Sequence, residues 1–249
     1  MIKAILTGHT KGLGAAIAAD LLGRGIAVLG LARGTAPELT ARFPQLLREV
    51  ELDLADNAAL GAWLGGGELA AWLAGCDTAL LVNNAGTVQP VGPLATQDPA
   101  AVARAIALNV AAPMMLASAV AAACAPPAGC RILHVSSGAG RSAYPGWSVY
   151  CATKAALDQH ARAVAMDQNP NHSHPLRICS LAPGVIDTGM QAEIRASTLE
   201  QFPLRQRFEE LKRDGNLADP ATCARALVDY LLAERFGKVP VDDLRNAVA

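Results

Sequence analysis

Apolar runs of strand length alternate with longer stretches of helical periodicity along this chain. The first run, Ile2 to Leu6, leads into a glycine-rich turn and then a helical pattern from Leu13 to Leu22. Gly23 and Gly25 close that helix, because glycine accepts the left-handed geometry of a C-terminal cap. A second strand is predicted at Ala27–Leu31, and others at Leu47–Leu52, Ala79–Val82, Arg131–Val135 and Arg177–Leu181. Helical patterns fall near residues 57–73, 99–124, 149–168 and 220–234. This alternation predicts an α/β fold, a doubly wound parallel sheet of about seven strands with helices on both faces. Right-handed crossovers place the strand C-termini along one edge, where ligands bind. No repeat or low-complexity linker divides residues 1–249, so a single domain is expected. Residues 186–216 are more polar and interrupt the rhythm, which predicts a lid over a substrate.

Composition narrows the function classes. Hydrophobic residues make up 52% and charged residues 17%, a balance that suits a folded core. The net charge of −1 points to no nucleic-acid or anionic-membrane partner. Cysteines at 76, 124, 130, 151, 179 and 223 form no CxxC pair or metal-ligand spacing. The start shows no secretory pattern, so reduced thiols and a cytoplasmic location are expected. Ala105 to Cys130 lacks charge and is long enough for a membrane span. Asn109, Pro113, Ser118 and the Pro126–Pro127 break favour a buried helix followed by a loop. His172 and His174 lack a third ligand, so no metal is expected.

Two motifs carry chemistry. Thr7-Gly8-His9-Thr10-Lys11-Gly12-Leu13-Gly14 lies between a predicted strand and a predicted helix. Its glycines let the backbone turn sharply and approach a pyrophosphate, and the helix N-terminus offers unpaired N–H groups. Alone, this spacing also fits an ordinary helix start. The second strand ends Gly30-Leu31-Ala32-Arg33-Gly34, with an arginine and no acid. An acid there suits the ribose 2′-hydroxyl of NAD, whereas an arginine suits the 2′-phosphate of NADP, and Lys11 adds a second cation. NADP(H) in a Rossmann-type domain is therefore expected.

The second motif is Ser137 followed by Tyr150 and Lys154. Ser137 follows the predicted strand Arg131–Val135, and the four-residue spacing puts Tyr150 and Lys154 on one helix face. A nearby lysine cation favours the phenolate and lowers the tyrosine pKa. Such a tyrosine exchanges a proton with a substrate oxygen that Ser137 orients.

These pieces together resemble the short-chain dehydrogenase/reductase family over essentially the whole chain. The matching pieces are TGxxxGxG at 7–14, Asp53-Leu54, Asn83-Asn84-Ala85-Gly86, Asn109-Val110, Ser137, YxxxK at 150–154, and Pro183-Gly184 with Thr188. The resemblance implies that Tyr150 is the acid in carbonyl reduction, Lys154 holds the nicotinamide ribose and Ser137 orients the carbonyl. It makes Asn109 the anchor of a water relaying protons to Lys154. Cofactor contacts fall to Thr7, Gly8, Lys11, Gly12, Leu13, Gly14 and Arg33, to Asp53 and Leu54 at the adenine, to Asn84, Ala85 and Gly86, and to Tyr150 and Lys154. Pro183, Gly184, Val185 and Thr188 would pack around the nicotinamide. Read without the resemblance, Asp53 also suits a helix cap, and Asn83 to Gly86 suit a strand-end turn.

Gly146-Trp147, Tyr150-Cys151 and Pro183 to Gln191 resemble the sepiapterin reductase-like branch. Arg195, Phe208, Leu211 and Gly215 are similar to benzil reductases that form (S)-benzoin. The implied activity is NADPH-dependent reduction of a ketone or 1,2-diketone. A pterin reductase and a non-catalytic dinucleotide sensor on the same fold stay open as alternatives. The branch anchors pterin by a carboxylate four residues after a glycine; counting from Gly237, Val241 stands there and Asp242 comes one residue late. Trp147, Tyr144, Met190 and Phe202 are candidate pocket walls, with ordinary packing favoured for Phe202. His9 stands where the family has a small residue, and its role is open. The resemblance also implies a homodimer or homotetramer through residues 99–124 and 149–168.

Overall fold

The computed structural model describes residues 1–124, 128–167 and 176–247. The amino-terminal half builds β1 (Ile2–Thr7), α1 (Gly12–Gly23), β2 (Ala27–Ala32), α2 (Pro37–Arg42), β3 (Leu47–Glu51), α3 (Asn57–Gly65), α4 (Glu68–Leu73) and β4 (Thr78–Asn83). It continues through α5 (Pro99–Ile106), a π turn at Ala107–Ala111, α6 (Ala112–Ala123), β5 (Gly129–Val135) and α7 (Ser148–Met166). The last elements are β6 (Leu176–Ala182), α8 (Gly189–Ala196), α9 (Arg205–Arg213), α10 (Pro220–Leu232), β7 (Val241–Asp243) and α11 (Leu244–Ala247). The strands form one seven-stranded sheet in the order β3-β2-β1-β4-β5-β6-β7, and every pairing is parallel. The order runs outward from β1 in both directions, so the switch point lies between β1 and β4, as in Rossmann folds.

Successive residues of a strand face opposite sides, so a sheet covered twice needs apolar strands throughout. Ala4 and Leu6 of β1 pack with α1 and α10 through Ile17, Leu21, Leu227 and Leu231. Ile5 between them packs on the other face with Leu60, Leu73 and Leu116. The helix Pro99–Ala123 is long and apolar enough to cross a membrane by length and composition alone. In this fold its Ala112, Leu116 and Val120 are buried against the sheet.

Several elements differ from expectation. The pattern at 57–73 is two helices, because Gly65-Gly66-Gly67 interrupts it and Gly67 adopts φ 81°. Residues 186–216 contain α8 and α9 where an irregular stretch was expected. Trp147 stacks on Phe202 at 4.5 Å, and both pack with Val88, Ile194 and Phe208 in a third cluster beside Tyr150. Gly146 makes this docking possible: a Cβ there would lie 2.3 Å from the Gln201 carbonyl oxygen. His172 and His174 lie outside the described residues.

Candidate active site

The strand C-termini gather the residues of both motifs. At the switch point, Thr7 Oγ1 accepts hydrogen bonds from Asn84 N and Ala85 N, both at 2.9 Å. The Asn84 side chain returns bonds to the carbonyls of Thr7 and Gly8 at 3.0 and 3.2 Å. Thr7 and Asn84 therefore knit the β1 and β4 loops together, and their side-chain bonds are spent within the protein. Leu13 is likewise turned into the core.

The glycine turn suits a closely approaching phosphate. A Cβ on Gly14 would lie 2.0 Å from the Gly8 carbonyl oxygen, so no larger residue fits the turn. Helix α1 starts at the exposed Lys11 without a side-chain cap, which leaves its first N–H groups for an anion. Gly12 brings the turn against Thr188, whose Cγ2 would stand 3.4 Å from an added Cβ. Arg33 is exposed at the end of β2. These features fit the pyrophosphate of a dinucleotide.

His9 is fully buried in this turn. Its Nε2 lies 2.6 Å from Glu49 Oε1, and since a carboxylate only accepts, the ring donates. Glu49 also accepts from Ala36 N and Thr40 Oγ1, both at 2.6 Å. Burial pushes the Glu49 carboxyl up, but bonds from Thr40, His9 and Ala36 hold it below the usual carboxylate range. The histidine thus ties the phosphate turn to β3 and to the segment after Arg33. Gly30 complements it, because a Cβ there would lie 2.5 Å from the His9 ring.

Asp53 does not cap a helix. Asp56 caps α3, accepting from Ala58 N and Ala59 N. Asp53 accepts from Ala55 N at 3.0 Å and pairs with Arg104 at 2.7 Å. Burial opposes its ionisation, but the Ala55 N–H and the Arg104 and Arg33 cations hold its pKa below the ordinary value. Arg104 carried no sequence signal as a site residue. Leu54 is buried beside Asp53.

The catalytic constellation is assembled and buried. Tyr150 and Lys154 are 6% and 5% exposed, and Ser137 is near enough to influence the Tyr150 phenol. Lys154 Nζ donates to the Val135 carbonyl at 2.8 Å and lies 5.7 Å from the Tyr150 ring centre. Burial pushes the Tyr150 phenol up to about 12, only partly offset by Ser137. The expected lowering by Lys154 is not seen; desolvation sets the direction of the shift. Burial also lowers Lys154 to about 8, against the opposing pull of Asp158.

The π turn of the long helix holds Asn109. Its amide donates to the Thr87 carbonyl at 2.8 Å and to Thr153 Oγ1 at 3.1 Å, and its Oδ1 accepts from Thr87 N at 2.9 Å. Gly86 lets this group approach Lys154: an added Cβ would lie 3.3 Å from Asn109 Oδ1 and 3.8 Å from Lys154 Nζ. Gly184, at φ 89°, follows Pro183 at the end of β6. Val185 is partly exposed and accepts from Ala218 N through its carbonyl.

The substrate side departs from the sequence expectation at Trp147, while Phe202 packs internally as favoured. Trp147 and Phe202 are buried in the third cluster and do not wall an open pocket, whereas Tyr144 and Met190 are partly exposed against it. A cleft of about 240 Å³ lies between Gln89–Val91 and the α8–Gln201 stretch, lined also by Glu193, Ala196 and Ser197. The Asp242 carboxylate accepts from Tyr230 at 3.5 Å and from Asp243 N at 2.7 Å. Tyr230 also meets Cys179 in the α1–α10 core, which places the Asp242 contact on that side of the sheet. Cys151 lies 3.7 Å from the Ser142 carbonyl, a packing position. Among the described residues no cluster of His, Cys, Asp or Glu has metal-site geometry.

The short chain dehydrogenase family matches residues 3–199, and the chain belongs to that family. A short-chain dehydrogenase/reductase from Burkholderia vietnamiensis is 51% identical, with TM-score 0.71 over 98% of this chain and 97% of that one. Benzil reductase ((S)-benzoin forming) of Bacillus cereus is 34% identical, covering 93% of this chain and 94% of the relative. Sepiapterin reductase of Meriones unguiculatus is 33% identical, covering 93% and 92%. The chain is thus an oxidoreductase of the CH–OH/C=O class, in a family that works with a nicotinamide dinucleotide.

Proposed function

We propose that this chain is an NADPH-dependent carbonyl reductase acting on a ketone or a benzil-like diketone. The observation that carries this reading is the burial of Tyr150 next to Lys154, with Ser137 interacting with the phenol and Asn109 nearby. A substrate oxygen held by the Ser137 hydroxyl meets the proton of Tyr150 Oη. Because burial keeps that phenol protonated, Tyr150 is set as an acid for reduction. Lys154, anchored on Val135, holds positive charge beside it and favours the phenolate left behind. Asn109, fixed by Thr87 and Thr153, orders the path by which a proton returns. The nicotinamide, when bound, supplies the hydride. The first turn of α1, Lys11 and Arg33 would hold its phosphates, and the absence of an acid beside Arg33 favours NADPH.

The substrate assignment leans on the likeness to benzil reductase and on the partly exposed Tyr144 and Met190. The contact of Asp242 with Tyr230 weighs against its serving a pterin. The 186–216 segment would act as the lid, hinged on the Trp147–Phe202 stack. Assembly into a homodimer or homotetramer would use the outer face of Pro99–Ala123, where Ile106 is exposed. The test is NADPH consumption with benzil, phenylpropanedione and sepiapterin, with NADH as comparison. Diketone turnover with NADPH is expected; turnover of sepiapterin alone, or preference for NADH, would overturn the reading.

A further inference from the structure

One helical turn beyond Lys154, Asp158 has no part in the roles assigned above, yet its side chain is only 1% exposed. A carboxylate taken this far from water needs donors to stay charged. Three are present. Ser136 Oγ and Ser180 Oγ each donate to Asp158 Oδ1 at 2.7 Å, and Arg141 Nε donates to Oδ2 at 3.1 Å. Ser136 adjoins Ser137, Ser180 lies in β6, and Arg141 follows the short turn Gly138–Gly140. Arg141 also reaches the carbonyls of Ser180 and Asp242, at 3.3 and 2.8 Å. The fit is close: a Cβ on Gly140 would lie 3.0 Å from both Asp158 Oδ2 and the Lys154 carbonyl oxygen.

We propose that Asp158 is a positioning residue of this active site, clamping the Ser137 loop to the Tyr150–Lys154 helix and keeping Lys154 charged. The proposal rests on the roles given to those three residues. Ser137 comes from a loop and Tyr150 from a helix, so the two hydroxyls keep their relative position only if loop and helix are locked together. The Asp158 carboxylate is that lock, since it binds the loop at Ser136 and Arg141 and the sheet at Ser180. The ionisable groups facing Lys154 are Tyr150 and Asp158 on α7 and His134 on β5. Burial pushes His134 down to about 3, so it stays neutral. Arg141 and Asp243 stand on the far side of Asp158 and interact with each other. Asp158 is therefore the negative charge that opposes the desolvation of Lys154.

The test uses carbon-labelled lysine and NMR on the whole chain. Its lysines are 3, 11, 154, 212 and 238, and Lys154→Met identifies the resonance wanted. In Asp158→Asn the Lys154 midpoint should fall by about one unit, and the alkaline limb of kcat/KM should move with it. Ser180→Ala removes a hydrogen bond but keeps the charge, and should leave the midpoint in place. A midpoint unmoved in Asp158→Asn, or moved equally in both variants, overturns the proposal. If Asp158→Asn does not fold, Arg141→Met takes over: removing the offsetting cation should raise the midpoint, and no rise refutes the idea. The titration needs no substrate. A chain that reduces no carbonyl but shows the shift loses only the functional reading, whereas an active enzyme indifferent to Asp158 loses only this one.

Discussion

The two ends of the cofactor cleft handle charge in opposite ways. At the end given to the adenosine, Lys11 and Arg33 are exposed, and the Arg104–Asp53 pair has side chains 56% and 36% exposed. At the catalytic end, Tyr150, Lys154 and Asp158 are almost wholly buried. Charges in water are screened, and an exposed pair contributes about 0–1 kcal/mol. Their mutual effects are limited to the pull of Arg104 and Arg33 on Asp53. At the catalytic end burial governs ionisation, lifting the Tyr150 phenol to about 12 and lowering Lys154 to about 8 against the pull of Asp158. The residues proposed for selectivity thus lie where charges are screened, and those proposed for chemistry lie where burial governs ionisation.

The sharpest break between the ends is expected from Tyr150→Phe. Loss of a positioned acid should lower kcat by about a hundredfold to ten-thousandfold. NADPH affinity, measured by fluorescence titration, should stay within a few-fold (about threefold) because the phosphate contacts lie elsewhere. A large loss of affinity would mean that the two ends are not separable. The pH profile sharpens the same point. Tyr150 keeps its proton across the working range, so the visible limb belongs to Lys154. Its charged form is lost as pH rises through about 8, so reduction should be flat below that pH and decline above it. In the Tyr150→Phe background any residual rate should lose this limb.

A smaller effect is expected in stability from Gly30→Ala. The added methyl would meet a His9 ring that Glu49 holds in place, and overpacking of this kind costs about 1–3 kcal/mol. Thermal denaturation should show the loss, and His9→Ala in the same chain should restore part of it. No loss would mean that the phosphate turn is not pinned by the histidine.

Edge strand β3, LREVE, was placed although it buries only Leu47; the five inner strands were legible because a sheet covered on both faces demands largely apolar runs, and they gave them. Strand β7 did not: Val241–Asp243 is three residues long and two are acids, which join the sheet because Leu181 and Ala182 supply the pairing. Helix α9 was hidden by its charge, since RQRFEELKR buries only Phe208. The π turn around Asn109 has no sequence signature, because it differs from a helix by one residue of backbone register. In the site, Ser137, Tyr150 and Lys154 were readable from spacing. Arg104 and Asp158 were not, because a single charge on a helix reads as a solvated one. A signal for Asp158 did exist in Ser136, just past β5, and Ser180, inside β6 beside Leu181, and in its place one turn after Lys154. His9 had its signal in Gly30, a glycine inside a strand, which marks a close approach.

Among the exposed charges, Arg33→Asp should matter most. Loss of a charge-assisted contact to phosphate should raise the NADPH KM by about tenfold to hundredfold, with NADH affected far less. Equal effects on both would remove the basis for NADPH preference. Arg104→Ala should do least. Its partner Asp53 keeps the Ala55 N–H, and the Arg33 cation still acts on it, so the carboxylate stays ionised without Arg104. The loss should be under about 1 kcal/mol, a change of about fivefold or less in cofactor KM. The decisive comparison is the double variant with Arg33→Asp. Independent, screened charges give additive free energies, whereas a coupled network gives a clear excess or deficit. Additivity would uphold the contrast between the two ends; strong coupling would mean that the exposed end, despite its solvent, is organised like the buried one.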